Sequence, residues 1–214
     1  YMEIKNKDLK RRIIQISYDH KLSHLGSCLT ALDIIDEIYS IKKPDEKFVL
    51  SSGHAGLAFY CVIEKYEGID AEKIFEHHGV HPDRCNQCHI YCSTGSLGQG
   101  LPISCGLALA NRNKTVYTLL SDGEMQEGSC YEALEVANEQ KLDNLKVFIN
   151  CNGFGAYKQL SIDHIIDRCR AFINVNITFR QTNFDEMPNW FKGQQAHYLT
   201  LNENQYKELL KIYA

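Results

Sequence analysis

The sequence lacks low-complexity tracts, and no stretch approaches the roughly 20 consecutive apolar residues of a membrane-spanning helix. Its apolar share is ordinary, at 44% of 214 residues, which excludes a disordered chain. One domain over residues 1–214 is predicted, because this length suits a single hydrophobic core. The N-terminal segment has no apolar stretch or cleavage site typical of an export signal, which predicts a cytoplasmic protein without membrane contact.

An excess of positive charge is also missing, because 27 acidic residues outnumber 23 basic ones for a formal net charge of −4. That balance argues against nucleic acid as a main partner. An anionic ligand would therefore need local help from a metal ion or from helix N-termini. The chain has neither the G-x-G-x-x-G fingerprint nor a P-loop lysine, which weakens an interpretation as a nicotinamide-dinucleotide or nucleoside-triphosphate site.

Nine cysteines are present, an odd number. Without an export signal, most are expected to be reduced and packed as small apolar residues. The exception is the C-x-x-C-H string of Cys85, Cys88 and His89, with Cys92 just beyond, which could help to hold zinc or haem. No second ligand pair follows at a fixed spacing, so the segment is interpreted as a variable connection, with a metal site as the alternative.

Hydrophobic patterns alternate between helices and short apolar strands, which predicts an α/β fold with a mostly parallel sheet and helices on both faces. The clearest unit joins two apolar strands, 115–120 and 145–150, through a helix over 127–140. This order predicts parallel strands with a right-handed crossover. A capping box of Thr30 and Asp33 is predicted to open another helix. The remaining predictions are strands over 47–50 and 174–179 and helices over 7–18, 30–39, 56–66, 70–77, 99–110, 162–171 and 203–212.

Oxygen-bearing side chains follow both strands of that unit, Asp122 after the first and Asn152 after the second. Because the carboxyl ends of neighbouring parallel strands lie at the same edge of a sheet, these oxygens should meet there. One carboxylate, one amide oxygen and a loop carbonyl form an oxygen-only set that suits Mg²⁺ or Ca²⁺. Asp-Gly and Asn-Gly are also common turn pairs, so the spacing of the whole unit carries the metal prediction.

A glycine-rich turn over 93–100 precedes a helix of small residues, and could present backbone groups to a planar ring or an anion. A tightly packed helix start is the alternative. His24, His54 and His81 each lie in a loop marked by glycine or proline, which predicts a polar pocket for hydroxyls and phosphates. The other histidines have no such context and are interpreted as surface groups: His20, His77, His78, His89, His164 and His197.

Taken in order, these strings resemble the thiamine-diphosphate-binding half of transketolase. The resemblance covers roughly residues 10–155. The matching strings are His24-Leu-Gly-Ser27, Ser51-Ser-Gly-His54-Ala55, His81-Pro82, Thr94-Gly-Ser-Leu-Gly-Gln-Gly100, Asp122-Gly-Glu-Met-Gln-Glu-Gly128, Lys141-Leu-Asp-Asn-Leu145 and Asn152-Gly153. The family resemblance implies the thiamine-diphosphate-binding fold, with a bound cofactor that carries out the difficult chemistry.

The resemblance also implies roles for individual residues. Asp122 and Asn152, with the carbonyl of Phe154, would hold the Mg²⁺ or Ca²⁺ that bridges the diphosphate. The implied cofactor contacts are His54, Gly95, Ser96, Leu97, Asp122, Gly123, Glu124, Asn152 and Phe154. The implied catalytic residues are His24, His54, His81 and Glu127. The three histidines would move protons, with His54 near the diphosphate and substrate and with His24 and His81 facing the sugar hydroxyls. The family places an acidic group like Glu127 at a subunit interface.

Two departures from the family shape the functional prediction. The pyrimidine-binding domain, which carries an essential glutamate in transketolases, has no counterpart in this sequence. The chain therefore resembles the N-terminal subunit of a split transketolase, which would act on sugars or sugar phosphates in a heterotetramer with a C-terminal subunit. In addition, the stretch after Asn152 is short, and Phe191 stands where the family often has a histidine. The shortening favours a specialised carbohydrate route over pentose-phosphate work.

Two other functions stay open at this point. A subunit of a thiamine-dependent 2-oxo acid decarboxylase or acyloin-forming enzyme would share the metal motif, although the loop histidines favour a ketose donor. A non-catalytic cofactor-binding scaffold, or a zinc-stabilised module built on Cys85, Cys88, His89 and Cys92, is the third. The intact metal and diphosphate motifs argue against loss of cofactor binding.

Overall fold

A parallel four-stranded sheet in the order β1-β2-β3-β4 forms the centre of the molecule in our computed structural model, which describes residues 4–214. The start of the N-terminal segment, residues 1–3, lies outside the described residues. The strands are β1 (Lys47–Leu50), β2 (Val116–Ser121), β3 (Leu145–Cys151) and β4 (Asn176–Gln181). Leu50 pairs with Leu119, and Ser121 pairs with Asn150, so the carboxyl ends of β1, β2 and β3 reach one edge.

Eight α-helices surround the sheet within residues 4–214. They are α1 (Lys7–Asp19), α2 (Leu25–Ile41), α3 (Gly56–Glu67), α4 (Ala71–His78), α5 (Gly100–Ala110), α6 (Gly128–Glu139), α7 (Ile162–Cys169) and α8 (Glu203–Ile212). Each of these helices is too short or too polar to span a lipid bilayer. With one exception, the predicted helices and strands are confirmed to within a few residues at each end.

Helices cover both faces of the sheet, which confirms the predicted fold class. Leu119 and Leu120 are adjacent on β2 and point to opposite faces, because side chains alternate along a strand. Leu119 packs with α1–α4 and α8, through buried residues such as Leu32 and Phe59. Leu120 packs with α5, α6 and α7, through residues such as Leu134. Burial on both faces explains why the central strands are continuously apolar in sequence.

The exception is α2, which begins at Leu25 and not at Thr30. The predicted capping box is wrong, because Thr30 lies inside the helix. Its hydroxyl donates a hydrogen bond to the carbonyl of Ser27 and accepts one from the side chain of Asn150. The first turn contains Gly26, a weak helix former, because a side chain there would press against Ala196 at 3.1 Å. Tertiary packing therefore favours residues in this first turn that sequence patterns do not predict as a helix start.

The glycine-rich turn packs directly on the residues that follow β1. A Cβ atom at Gly53 would lie 2.6 Å from the backbone nitrogen of Gly95 and 2.6 Å from the carbonyl carbon of Thr94. The hydroxyl of Thr94 donates to the carbonyl of Leu50 at 2.7 Å, which fixes the turn to the strand. This close approach leaves no room for a side chain at Gly53.

We expect Gly53→Ala to lower the free energy of unfolding by about 1–3 kcal/mol, because the added methyl group meets backbone that cannot move aside. Urea unfolding of the purified chain, followed by circular dichroism, measures the change. Gly106→Ala is the matched control, since nothing lies within 4 Å of a Cβ atom there and alanine favours the α5 helix. Equal stability of the two variants would contradict the packing described here.

Candidate functional site

A cavity of about 200 Å³ opens at the carboxyl edge of the sheet. Its walls come from the ends of β2 and β3, the glycine-rich turn, the start of α2 and the segment 184–197. Eight of the residues predicted from the sequence line this cavity: His24, His54, His81, Gly95, Leu97, Gly123, Asn152 and Phe154. The structure therefore brings together groups that lie as far apart in sequence as residues 24 and 154.

Four predicted residues do not line the cavity. Asp122 is fully buried, and its chain neighbours Ser121 and Gly123 line the cavity. Ser96 and Glu127 are exposed on the surface of the described chain. Their predicted roles, cofactor binding for Ser96 and catalysis at an interface for Glu127, stay predictions. The fourth residue is Glu124.

Glu124, whose cofactor binding stays a prediction, has a buried carboxylate that is hydrogen-bonded within the protein. One oxygen accepts hydrogen bonds from the hydroxyl of Ser51 at 2.7 Å and the backbone N–H of Gly98 at 3.0 Å. The other oxygen accepts from the backbone N–H of Ser121 at 3.1 Å. Burial raises the pKa of Glu124, and these donors oppose the rise. Glu124 thus joins the ends of β1 and β2 to the glycine-rich turn.

The ends of β2 and β3 meet at Asp122, as the parallel pairing requires. One carboxylate oxygen accepts from the backbone N–H of Gly153 at 2.6 Å, and the other accepts from that of Gly123 at 2.9 Å. The amide oxygen of Asn152 accepts from the backbone N–H of Phe154 at 2.9 Å, which shapes the turn after β3. The carbonyl oxygen of Phe154 lies 4.0 Å from the position that a Cβ atom would take at Gly123.

This donor set fits a hard divalent cation. Burial raises the pKa of Asp122 to about 6, although backbone N–H donors lower it. None of the ion pairs among residues 4–214 involves Asp122, so this buried carboxylate has no cationic side chain against it. A carboxylate oxygen, the amide oxygen of Asn152 and the carbonyl of Phe154 are the ligands that Mg²⁺ and Ca²⁺ prefer. A cation here would compensate the buried charge.

Three histidine rings cluster in the cavity. The ring centroids of His24 and His54 lie 5.7 Å apart, and His197 lies 4.4 Å from His24 and 5.5 Å from His54. The interpretation of His197 as a surface group is therefore wrong. The backbone N–H of His24 donates to the carbonyl of His197 at 2.9 Å, and Nδ1 of His197 lies 3.2 Å from the hydroxyl of Ser27. The segment after β4 folds back over the cavity, and a local pattern could not show this.

His81 enters the cavity from the connection between α4 and α5. Its ring lies over Gly95, where a Cβ atom would come within 2.9 Å of the ring carbon Cδ2. Gly95 also has a φ of 146°, which residues with side chains rarely adopt. Two separate constraints therefore require glycine at this position of the glycine-rich turn.

The clustered histidines are neutral at pH 7. Burial, together with the neighbouring His197 and His81, lowers the pKa of His24 to about 4. Burial and the other histidines lower the pKa of His54 to about 3. The Nδ1 atom of His24 is buried and has no hydrogen-bond partner among residues 4–214. A neutral imidazole with a free buried nitrogen is suited to bind a ligand or exchange a proton with it.

We expect His197→Asn to raise the pKa of His24, because His197, once protonated at low pH, opposes a second positive charge on the neighbouring ring. The pKa should remain below the ordinary histidine value, since burial is the largest cause and persists. Titration of the ring resonances by NMR measures the shift. His164→Asn is the control, because His164 is exposed on α7. A fall in the pKa of His24 would contradict the described contact.

The remaining histidines differ in their surroundings. His77, His89 and His164 are exposed, in agreement with their interpretation as surface groups. Nε2 of His20 lies 2.9 Å from a carboxylate oxygen of Glu72. His78 is half-buried, and its surface interpretation is wrong. All nine cysteines are free, and six of them are buried, as expected for reduced thiols packed as small residues.

The fold and the cavity define an α/β cofactor-binding domain with its ligand site at the carboxyl edge of a parallel sheet. Residues 40–175 match the family described as transketolase, thiamine diphosphate binding domain. The chain is 31% identical over 196 residues to a protein of Phocaeicola vulgatus named as one subunit of apulose-4-phosphate transketolase, covering 80% of this chain and 69% of that protein. It is also 34% identical over 174 residues to the transketolase of Pongo abelii, covering 70% of this chain and 28% of that protein. The chain belongs to the transketolase family, and it corresponds to the thiamine-diphosphate-binding domain.

Solved transketolase structures share this fold. A transketolase variant from Pichia stipitis superposes with a TM-score of 0.80 at 19% identity, over 97% of this chain and 40% of that chain. The enzyme from Campylobacter jejuni gives 0.75 at 20% identity, over 98% and 43%. At these identities the likeness establishes the fold alone. The chain spans 28% of the length of the transketolases from Pongo abelii and Homo sapiens, so it corresponds to one part of those proteins.

Proposed function

We propose that this chain is the cofactor-binding subunit of a thiamine-diphosphate-dependent enzyme that transfers a two-carbon ketol unit between sugars or sugar phosphates. The observation that carries the proposal is the junction of Asp122 with the turn at Asn152 and Gly153, which places a buried carboxylate beside the cavity. We propose that these residues and the carbonyl of Phe154 form a cation site. The family match supports thiamine diphosphate as the ligand.

The residues at the strand ends would hold the diphosphate through a divalent cation. Asp122, Asn152 and the carbonyl of Phe154 supply hard oxygen ligands, and Mg²⁺ or Ca²⁺ suits them equally by ligand type. Gly123 lines the cavity, so backbone can approach a phosphate closely there. Thiamine diphosphate, when bound, would supply a nucleophilic carbon for chemistry at the ketose carbonyl. The chain itself has to orient this group and exclude water from it.

The histidine cluster would handle protons and sugar hydroxyls. His24 and His54 are neutral at pH 7, so each can accept a proton and later return it as a general acid–base group. His81 lies over Gly95 in the cavity wall, where it can donate to a hydroxyl or phosphate oxygen. The half-buried positions of His24 and His54 strengthen their polar interactions, because fewer water molecules compete there.

A separate protein would complete the active site. The relative from Phocaeicola vulgatus is itself named as one subunit of a transketolase, which supports a partner that carries the pyrimidine-binding domain. We propose a heterotetramer of two such pairs, with the exposed Glu127 at an interface. The name of the same relative specifies apulose 4-phosphate, which supports a sugar phosphate substrate from a specialised carbohydrate route. The cytoplasmic location stays a prediction.

The test mixes this chain, its C-terminal partner subunit, Mg²⁺ and thiamine diphosphate, and assays ketol transfer from ketose phosphate donors. We expect transfer with both proteins and none with either alone, while isothermal titration shows cofactor binding. Cofactor binding without transfer from any ketose donor would overturn the reaction class. Release of carbon dioxide from pyruvate in place of ketol transfer would identify a 2-oxo acid decarboxylase instead.

A further inference from the structure

A second cluster of reactive side chains lies outside the cavity, between the end of α4 and the connection to α5. One ligand atom from each of His78, Cys85 and Cys88 lies within 4.8 Å of the other two. All three residues are partly buried. The two cysteines form a C-x-x-C string, and the imidazole comes from the last residue of α4. The proposed function uses none of these groups.

The backbone holds the two cysteines in a tight turn. Cys85 and Ile90 form an antiparallel bridge, with both backbone hydrogen bonds at 2.9 Å. Within the turn, the backbone N–H of Cys88 lies 3.2 Å from the sulfur of Cys85 and donates to it. An N–H donor directed at a sulfur stabilises the negative charge that a thiolate carries when it binds a metal ion.

The imidazole of His78 has an unused nitrogen at the same place. Its Nε2 atom is buried and has no hydrogen-bond partner among residues 4–214. Burial without a partner is unfavourable, so this nitrogen is available to bind a ligand.

We propose that the connection between α4 and α5 binds one zinc ion through His78, Cys85 and Cys88, with water as the fourth ligand. One imidazole and two thiolates are typical zinc ligands, whereas Mg²⁺ and Ca²⁺ prefer oxygen. Both thiols lose their protons when the ion binds, and His78 coordinates without losing one. Each zinc ion therefore releases two protons to solvent.

The proposed zinc ligands differ from the C-x-x-C-H string of the sequence, because His78 takes the place of His89. His89 is drawn toward α3, because its Nε2 atom lies 3.8 Å from a carboxylate oxygen of Glu67. Cys92 lies beyond the bridge between Cys85 and Ile90 and contributes no atom to the cluster. Residues 86–89 turn sharply, so the third ligand comes from α4 and not from the next residue in sequence.

A bound ion would fasten the connection to α4. Residues 83–93 form a loop that leaves the cavity wall after Pro82 and returns to it at Thr94. The backbone N–H of Thr94 donates to the carbonyl of Pro82 at 3.0 Å and closes this loop. His81 and Gly95 lie just outside these two positions and both line the cavity. Zinc bound in the loop over residues 83–93 would restrain the cavity wall without contacting a molecule bound in the cavity.

Metal analysis of the full chain, purified under reducing conditions with added zinc and then desalted, tests the proposal. We expect one zinc ion per chain, and a loss of about tenfold or more in zinc affinity for Cys85→Ser and Cys88→Ser. Cys92→Ser and His89→Gln are the matched controls from the same connection and should retain zinc. Co²⁺ titration should give a thiolate-to-cobalt absorption band that both ligand variants weaken.

His78→Gln removes the third proposed ligand and leaves both cysteines in place. It therefore tests the site independently of whether the cysteine variants fold. It should alter the cobalt spectrum while the thiolate band remains. Absence of zinc and cobalt binding with free thiols would overturn the proposal, as would a Cys85–Cys88 disulfide in freshly isolated protein. These readouts need no thiamine diphosphate, so they stand apart from the test of the proposed function.

Discussion

Asp122→Asn is expected to weaken the binding of thiamine diphosphate and Mg²⁺ by about 100-fold or more, because it removes the only charged ligand of the proposed cation site. The amide has nearly the same size as the carboxylate, so the buried volume is kept. The amide has only one oxygen, so its NH₂ group cannot accept a hydrogen bond from the backbone N–H of Gly123 or Gly153. The lost hydrogen bond costs about 1–3 kcal/mol of stability. Isothermal titration of the chain with cofactor and Mg²⁺ measures the affinity.

The control for this variant is Asp143→Asn, the same chemical change at an exposed residue just before β3. Asp143 lies at the amino edge of the sheet, away from the cavity, so its variant should bind cofactor like the unaltered chain. Circular dichroism has to show that Asp122→Asn is folded at the assay temperature. Unchanged affinity in a folded Asp122→Asn chain would remove the basis for both the cation site and the proposed function.

His197→Ala is expected to lower kcat/KM for ketol transfer by about 10²–10⁴, the range associated with loss of an acid–base group. The ring of His197 contacts His24 and His54, and its Nδ1 atom lies beside the hydroxyl of Ser27. Because His197 is neither a proposed cation ligand nor an implied cofactor contact, the affinity for thiamine diphosphate should change little. Steady-state kinetics of the two-subunit enzyme, together with titration of the cofactor, separate these two effects.

His164→Ala on the exposed face of α7 is the control for this variant and should retain activity. Phe191, the residue at the position where the family often has a histidine, is fully buried in the same cavity wall. We expect that His197 supplies the imidazole that Phe191 lacks. Retention of kcat/KM within roughly twofold by His197→Ala would show that the ring has only a structural role.

The sequence predicted the part of the fold in which local pattern and tertiary burial agree. The strands ending at Ser121 and Cys151 are apolar on both faces, and this pattern indicates a central parallel strand. The position of Asp122 and Asn152 at one edge follows from that pairing by geometry alone. For the same reason, the bounds of the two strands that end at the cavity were predicted well.

The errors have a common physical cause, which is contact between different structural elements that no local sequence pattern shows. His197 meets His24 only because the chain after β4 returns over the sheet edge, and the long intervening sequence carries no local signal of this return. Similarly, His78 joins Cys85 and Cys88 through the end of α4, whereas the sequence suggested His89. The single domain over residues 1–214 stays a prediction, since residues 1–3 lie outside the described structure.

The carboxylate of Glu124 has a consequence for engineering this domain. It ties three chain segments to one another through the hydroxyl of Ser51 and the backbone N–H groups of Gly98 and Ser121. The glycine-rich turn and the turn at Asp122 therefore share one fixed reference point. A design that moves the Asp122 turn into another parallel sheet would have to include Ser51 and Gly98 as well. Without their hydrogen bonds to Glu124, the glycine-rich turn and the Asp122 turn would lose their fixed spacing.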